Sequence, residues 1–139
     1  MKQNRNGFDG PLQTVLQDAM AAWFADDQMS AAEMSERFLA PDFSAELDGH
    51  ILTRRAFEDR IDRMRKDANV EGQDFVEMME EDDRVFSMHI VRGQSLASGH
   101  PFETRVIALF IFESEKIKKV YLNSVTLGDP RDADFASRG

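Results

Sequence analysis

The side chains of this chain that could do chemistry are few: three histidines, one tyrosine, one tryptophan, no cysteine, and a large stock of carboxylates. His89 sits in the strand-like stretch Phe86-Ser87-Met88-His89-Ile90. An imidazole can serve as a general base near neutral pH, and a hydrogen-bonded structural histidine is the plainer use of the same residue. Alternation puts Phe86, Met88 and Ile90 on one strand face, and His89 with Val85 and Val91 on the other. If the Phe/Met face looks inward, His89 points outward, toward a subunit interface. His50 and His100 lie in loops beside Gly49 and Gly99. With no ligand spacing among them and no thiolate, no metal site is expected.

Tyr121 and Asn123 share one face of the last strand with Val125. Asn123 could orient a carbonyl or hydroxyl in an apolar pocket, or simply bond a neighbouring strand. Val120, Leu122, Ser124 and Thr126 make an equally good inner face, so the wet side of this strand stays open. Asp42, Glu46 and Asp48 cluster on an earlier strand. Paired carboxylates can run acid–base chemistry. Arg37, Arg54 and Arg55 lie close in sequence, and a solvated ion network is the simpler reading.

Helices and strands must position these groups. Pro11 suits a first helical position. Leu12, Val15, Leu16, Ala19, Met20, Trp23 and Phe24 then form one apolar stripe, broken by Asp26-Asp27-Gln28. Ser30-Ala31-Ala32-Glu33 is a capping box for a short helix with Met34 and Phe38 inward, ending by Pro41. Phe43 to Asp48 alternates as a half-buried strand closed by Asp48-Gly49. Thr53 caps a third helix, with Phe57, Ile61, Met64 and Ala68 inward and Arg54, Arg55, Arg60, Asp62 and Lys66 on its solvent side. From residue 73 the period changes to two. Phe75–Met79 pairs with Arg84–Arg92 across the acidic turn Glu80 to Asp83. Gly93 to Pro101 is a polar connection, after which Phe102–Glu113 and Lys116–Leu127 flank the turn Ser114-Glu115. Residues 1–10 form a loose lead-in, 11–128 one domain, and 129–139 an acidic tail. The fold class is α+β, one layer of helices on one curved sheet.

Length and charge narrow the function. The 139 residues suffice for one ordinary core without staples. The net charge of −9 argues against nucleic acid or an anionic membrane surface as partner. No apolar run reaches the ~18–20 residues of a membrane span, and the start MKQNRNGFDG is no signal peptide. A cytoplasmic protein is expected.

The order of elements resembles the nuclear transport factor 2-like fold, a cystatin-like roll, and within it the SnoaL-like and ketosteroid-isomerase-like proteins. The residues carrying the resemblance are the amphipathic first helix, Arg37-Phe38-Leu39-Ala40-Pro41-Asp42-Phe43, Asp48-Gly49, and the helix after Thr53-Arg54-Arg55. The hairpin Ile111-Phe112-Glu113-Ser114-Glu115-Lys116-Ile117 is similar to that family's F-x-x-G-K-I turn, with Glu115 where glycine is usual. The resemblance covers residues 11–128. It implies a cone-shaped, mixed or antiparallel sheet wrapped around three N-terminal helices, with a mainly apolar pocket.

The same resemblance implies which chemistry is missing. Ketosteroid isomerases use a tyrosine, a general-base aspartate and a buried protonated aspartic acid. Those posts fall here at Trp23, Leu47 and Ala108. A one-residue slip would bring Asp48 to the base position but turn Phe43 and Leu47 outward. The acidic residue that SnoaL-like cyclases carry late in the final strand falls at Val125, with Asn123 two residues earlier. Steroid-type proton transfer is therefore disfavoured.

The expectation is thus a cofactor-free protein that binds, and in an enzymatic version transforms, a small and largely apolar organic molecule. Isomerase, dehydratase, hydrolase or cyclase chemistry is the class implied. Met20, Trp23, Phe24, Phe43, Leu47, Met88, Phe102, Ala108, Phe110 and Phe112 would line or fill the cone. Asn123, Tyr121 and His89, with Asp48 in reserve, are the candidate catalytic groups. Arg105 interrupts an outward face of Ile107, Leu109 and Ile111, which reads as a homodimer interface, a use the resembled family often makes of this side of the sheet. The rival reading is a non-catalytic dimeric assembly domain with a filled cone.

Overall fold

The computed structural model describes residues 7–24 and 29–127. The break Asp26-Asp27-Gln28, the first six residues of the lead-in and the tail 129–139 lie outside the described residues. Three helices, α1 (Pro11–Phe24), α2 (Ala31–Phe38) and α3 (Arg54–Asp67), accompany six strands: β1 (Leu39–Leu47), β2 (His50–Thr53), β3 (Ala68–Glu81), β4 (Arg84–Ser95), β5 (Pro101–Glu113) and β6 (Lys116–Leu127). The strands form one curved, unclosed sheet in the order β2-β1-β6-β5-β4-β3. Only the β1–β6 pairing is parallel among these neighbours.

Local chemistry sets the helix ends. The N–H groups of Leu12 and Gln13, orphaned at the start of α1, both donate to Glu80 Oε1, at 3.1 and 3.0 Å. A carboxylate there also meets the positive end of the helix dipole. Glu80 thus belongs to β3 and clasps α1, where the sequence placed it in a solvated turn. Ser30 and Glu33 form the expected capping box, and Thr53 Oγ1 accepts from Ala56 N–H.

Several strand boundaries differ from the periodicity, β4 also continuing through Ser95 into the expected polar connection. β1 begins at Leu39 and runs through Pro41. Proline has no N–H for a ladder, and the β1–β6 register shifts between Leu39 and Ser44 to accommodate it. β2 is only four residues long, too short for alternation to show. β3 starts seven residues before Phe75, because bulges between Val70 and Gly72 and between Phe75 and Glu77 break its alternation twice.

The largest correction concerns β4. Its buried face is Val85, Ser87, His89 and Val91, whereas Phe86, Met88 and Ile90 are half-buried on the opposite side. Register decides this. Ser87 pairs with Ala108 and His89 with Val106, so β4 must present these residues to the side where Val106, Ala108, Phe110 and Phe112 enter the core. Met88, expected to line the cone, is therefore on its outside, and His89, expected outside, is fully buried within it.

Candidate functional site

The inner surface of the cone divides in two along the strands. At one end Phe43, Phe110, Phe112 and Ile117 close-pack against the helices, and the Phe43 ring lies 5.0 Å from that of Phe57. At the other end a cavity of about 520 Å³ remains, the size of many small-molecule sites. Its sheet wall is built from cross-strand rows: His89–Val106–Ser124 and Val91–Thr104–Thr126, with Leu122 beside Leu47. The helix wall comes from Met20, Trp23 and Phe24 of α1 and from Phe57, Ile61 and Met64 of α3.

Trp23 is held from behind. Arg65 donates to the carbonyls of Trp23 (3.0 Å), Ala22 (2.6 Å) and Met29 (2.9 Å), so one guanidinium satisfies the end of α1 and the segment that follows. A cation at a helix C-terminus also suits the dipole. The indole meets Phe57 edge-on at 5.2 Å, and its Nε1–H, although buried, has no hydrogen-bond partner. A buried donor left this way costs free energy unless something else accepts from it.

His89 repeats the pattern across the cavity. Its Nδ1 lies 3.3 Å from Ser87 Oγ, its ring is stacked obliquely 5.1 Å from Phe75, and Nε2 has no partner. Burial pushes its pKa down to about 4, so the ring is neutral at ordinary pH. A neutral imidazole with Ser87 on one nitrogen offers the other as a single donor or acceptor. It is a weak base in this state and a good polar anchor.

The remaining polar groups of the wall are bonded to each other or to the turns. Thr104 and Thr126 hydroxyls are 3.0 Å apart. Ser124 is tied to Asp48 beyond the wall. Arg60, Arg63 and Asp67 are the exposed members of the lining and mark where the cavity opens. No carboxylate lines the inner part among the described residues, and none of their His, Asp and Glu side chains group by three or more around a point that could hold a metal ion.

Of the residues singled out from the sequence, Met20, Trp23, Phe24, Leu47, Phe102 and His89 line the cavity. Phe43, Ala108, Phe110 and Phe112 are buried in the packed half. Tyr121 and Asn123 do not reach the cavity: both are exposed on the outer face, because Leu122, Ser124 and Thr126 take the inner side of β6. Asp48 is exposed in the β1–β2 turn and does not line the cavity. Arg105, Ile107, Leu109 and Ile111 share the outer face, in register with Met88, Phe86, Tyr121 and Asn123. Sequence reasoning missed Thr104, Arg63 and Arg65 altogether and placed Thr126 on one of two equally good inner faces of the last strand. The spacing of Phe57, Arg60, Ile61, Met64 and Asp67, at 0, 3, 4, 7 and 10, was the available signal that two charges share the inward helix face.

No family model and no curated protein matches the chain. Solved structures do. A candidate polyketide cyclase from Streptomyces antibioticus, IdmH, superposes with a TM-score of 0.70 at 14% identity, over 83% of this chain and 92% of that one. A candidate SnoaL-like polyketide cyclase from Mesorhizobium loti gives 0.60 at 13% identity, over 81% and 98%. A Catenulispora acidiphila protein described as having a ketosteroid isomerase-like fold, in complex with trimethylamine, gives 0.60 at 17% identity, over 76% and 83%.

Proposed function

Given a chain with the ketosteroid-isomerase-like, nuclear transport factor 2-like fold, we propose that it binds a small, largely apolar organic molecule in the open half of its cone, as a SnoaL-like protein. One observation carries this reading. The cavity is apolar in the main, and two residues on opposite walls, Trp23 and His89, each keep a buried ring nitrogen without a partner. A ligand carbonyl or hydroxyl brought against either nitrogen by a small side-chain shift would satisfy it, while its carbon skeleton takes the place of water against Leu47, Val91, Val106 and Leu122. The candidate polyketide cyclases among the structural neighbours agree with a ring-bearing ligand.

The chemistry, where there is any, is the cofactor-free kind. Trp23 and His89 would polarise a carbonyl by hydrogen bonding, with bound water as the proton carrier. The isomerase posts at Trp23, Leu47 and Ala108 give no carboxylate for steroid-type transfer. A cone filled by side chains is disfavoured by the cavity itself.

The test is a thermal-shift panel of steroids, polyketides, terpenoids and aromatic acids. A true ligand at a hundredfold excess over its dissociation constant should stabilise by about 2–3 kcal/mol. Trp23→Phe keeps the ring and removes the donor, and should weaken an oxygen-bearing ligand about five- to tenfold. Val106→Phe, which fills the cavity, should abolish binding. A panel without any response, or a response that survives Val106→Phe, would defeat the reading.

We propose also that the outer face of the sheet joins two copies of the chain. Phe86, Met88, Ile90, Ile107, Leu109, Tyr121 and Val125 lie together there, with Ile107 45% and Val125 59% exposed. A contiguous apolar surface on three strands favours a self-complementary two-fold contact.

A further inference from the structure

We infer that the molecule held in the cavity is an amphipathic anion, its charged end received by Arg60 and Arg63 at the opening; this rests on the cavity being a binding site. Three of the six cations of α3 have work elsewhere, and Lys66 lies in an outer groove. Arg54 bonds Ser35 and Glu36 and pairs with Glu58, Arg55 pairs with Asp59, and Arg65 holds three carbonyls. Arg60 and Arg63 make no hydrogen bond or ion pair within the described residues. Both line the cavity opening, on a chain whose net charge is −9.

Two unpaired guanidinium groups at the mouth of an apolar cavity are suited to a carboxylate or sulfonate, which their planar forks bind in register. Asp67, the third charged group of the rim, offsets one of the two cations and leaves the opening positive. Asp59 and Asp62 share an outer groove with Arg63 without pairing to it. Deeper in, no charged side chain lines the wall among the described residues, so an anionic group has its only favourable place at the α3 rim. The ligand is therefore oriented: oxygen toward Trp23 and His89, apolar body between the walls, anion outward.

Two fluorescent probes with the same aromatic body separate the possibilities: 8-anilinonaphthalene-1-sulfonate, an anion, and N-phenyl-1-naphthylamine, its neutral counterpart. The native protein should bind the sulfonate about tenfold more tightly, the scale of two exposed charge contacts. Arg60→Gln/Arg63→Gln should erase that preference without weakening the neutral probe, and about 0.5 M salt should shrink it. Val106→Phe, or Thr126→Phe if the first variant folds poorly, should remove both probes. Equal affinities in the native protein, or a preference that survives the double arginine variant, overturn the anion inference; loss of both probes in the filled variants would then leave the cavity reading standing. Failure of both probes to bind the native protein, or binding that persists in both filled variants, overturns the two together.

Discussion

The carboxylate of Asp48 grips Ser124 twice, accepting from its backbone N–H at 2.7 Å and from its hydroxyl at 2.8 Å. The Asp48 N–H in turn donates to Leu122 O at 2.9 Å. The β1–β2 turn is thereby stitched to the strand that forms one wall of the cavity. Asp48 stands at φ 50, a left-handed conformation that Asp and Asn tolerate better than most residues. Its part is to position Ser124, and it does not face the cavity as a base.

Asp48→Ala should lower stability by about 1–2 kcal/mol in urea unfolding, since both acceptors go and alanine is less at ease at positive φ. Asp48→Asn keeps an acceptor for the Ser124 N–H and the turn preference, and should cost about half as much or less. Equal losses for the two variants would show that the bonds to Ser124 contribute little.

Acid should destabilise the protein through His89. The folded imidazole titrates at about 4 against 6.5 for an unperturbed one, so between those values the unfolded chain binds the extra proton. Stability is whole above about pH 6.5 and falls as the pH drops toward 4, by about 3 kcal/mol in all. His89→Gln should remove this part of the acid sensitivity. The difference between native and variant unfolding free energies, measured across that window, checks it; a parallel pair of curves would contradict a desolvated His89.

Glu115 at φ 67 follows Ser114 at φ 50 in the β5–β6 turn. Side chains other than glycine cost about 1–2 kcal/mol in that region. Glu115→Gly should therefore raise stability by about 0.5–1 kcal/mol, less than the full strain because glycine gains entropy when unfolded. A lower melting temperature for this variant would refute the strain argument.

Arg65 should be the most sensitive surface-connected cation. Arg65→Met strands three carbonyl acceptors at the end of α1 and should cost about 2–3 kcal/mol. Arg65→Lys keeps the charge but cannot span three acceptors with a planar fork, and should fall between. Chemical unfolding orders the three proteins.

Leu109→Glu tests self-association. It places a charge at the middle of the outer face, and sedimentation at micromolar concentration should show the native dimer giving way to monomer with the cavity probes still bound. A monomeric native protein would end the dimer proposal.

Much of the scaffold was legible in the chain because its signals are local. The capping box at Ser30, the Thr53 cap, the α1 stripe and the alternation of Phe43, Ala45 and Leu47 each depend on neighbours within a few residues. The site was legible only in part. Met20, Trp23, Phe24 and Leu47 announce themselves as inward by spacing, but His89, Met88, Tyr121 and Asn123 lie on strands with two plausible inner faces. A strand apolar on both sides carries no parity of its own.

By itself, then, the amino-acid sequence determined the three helices, five of the six strands and the acidic exterior. Those follow from residue type and short-range periodicity. Only the tertiary structure decided that His89 is buried and neutral while Asn123 is wet, that Arg65 and Glu80 clasp the two ends of α1, and that half of the cone is open. Each of these depends on strand register and on partners tens of residues away, such as Ser87 facing Ala108 and Asp48 meeting Ser124. A one-residue slip would reverse every face, and it is the packing of Val106, Ala108, Phe110 and Phe112 against the helices that forbids it.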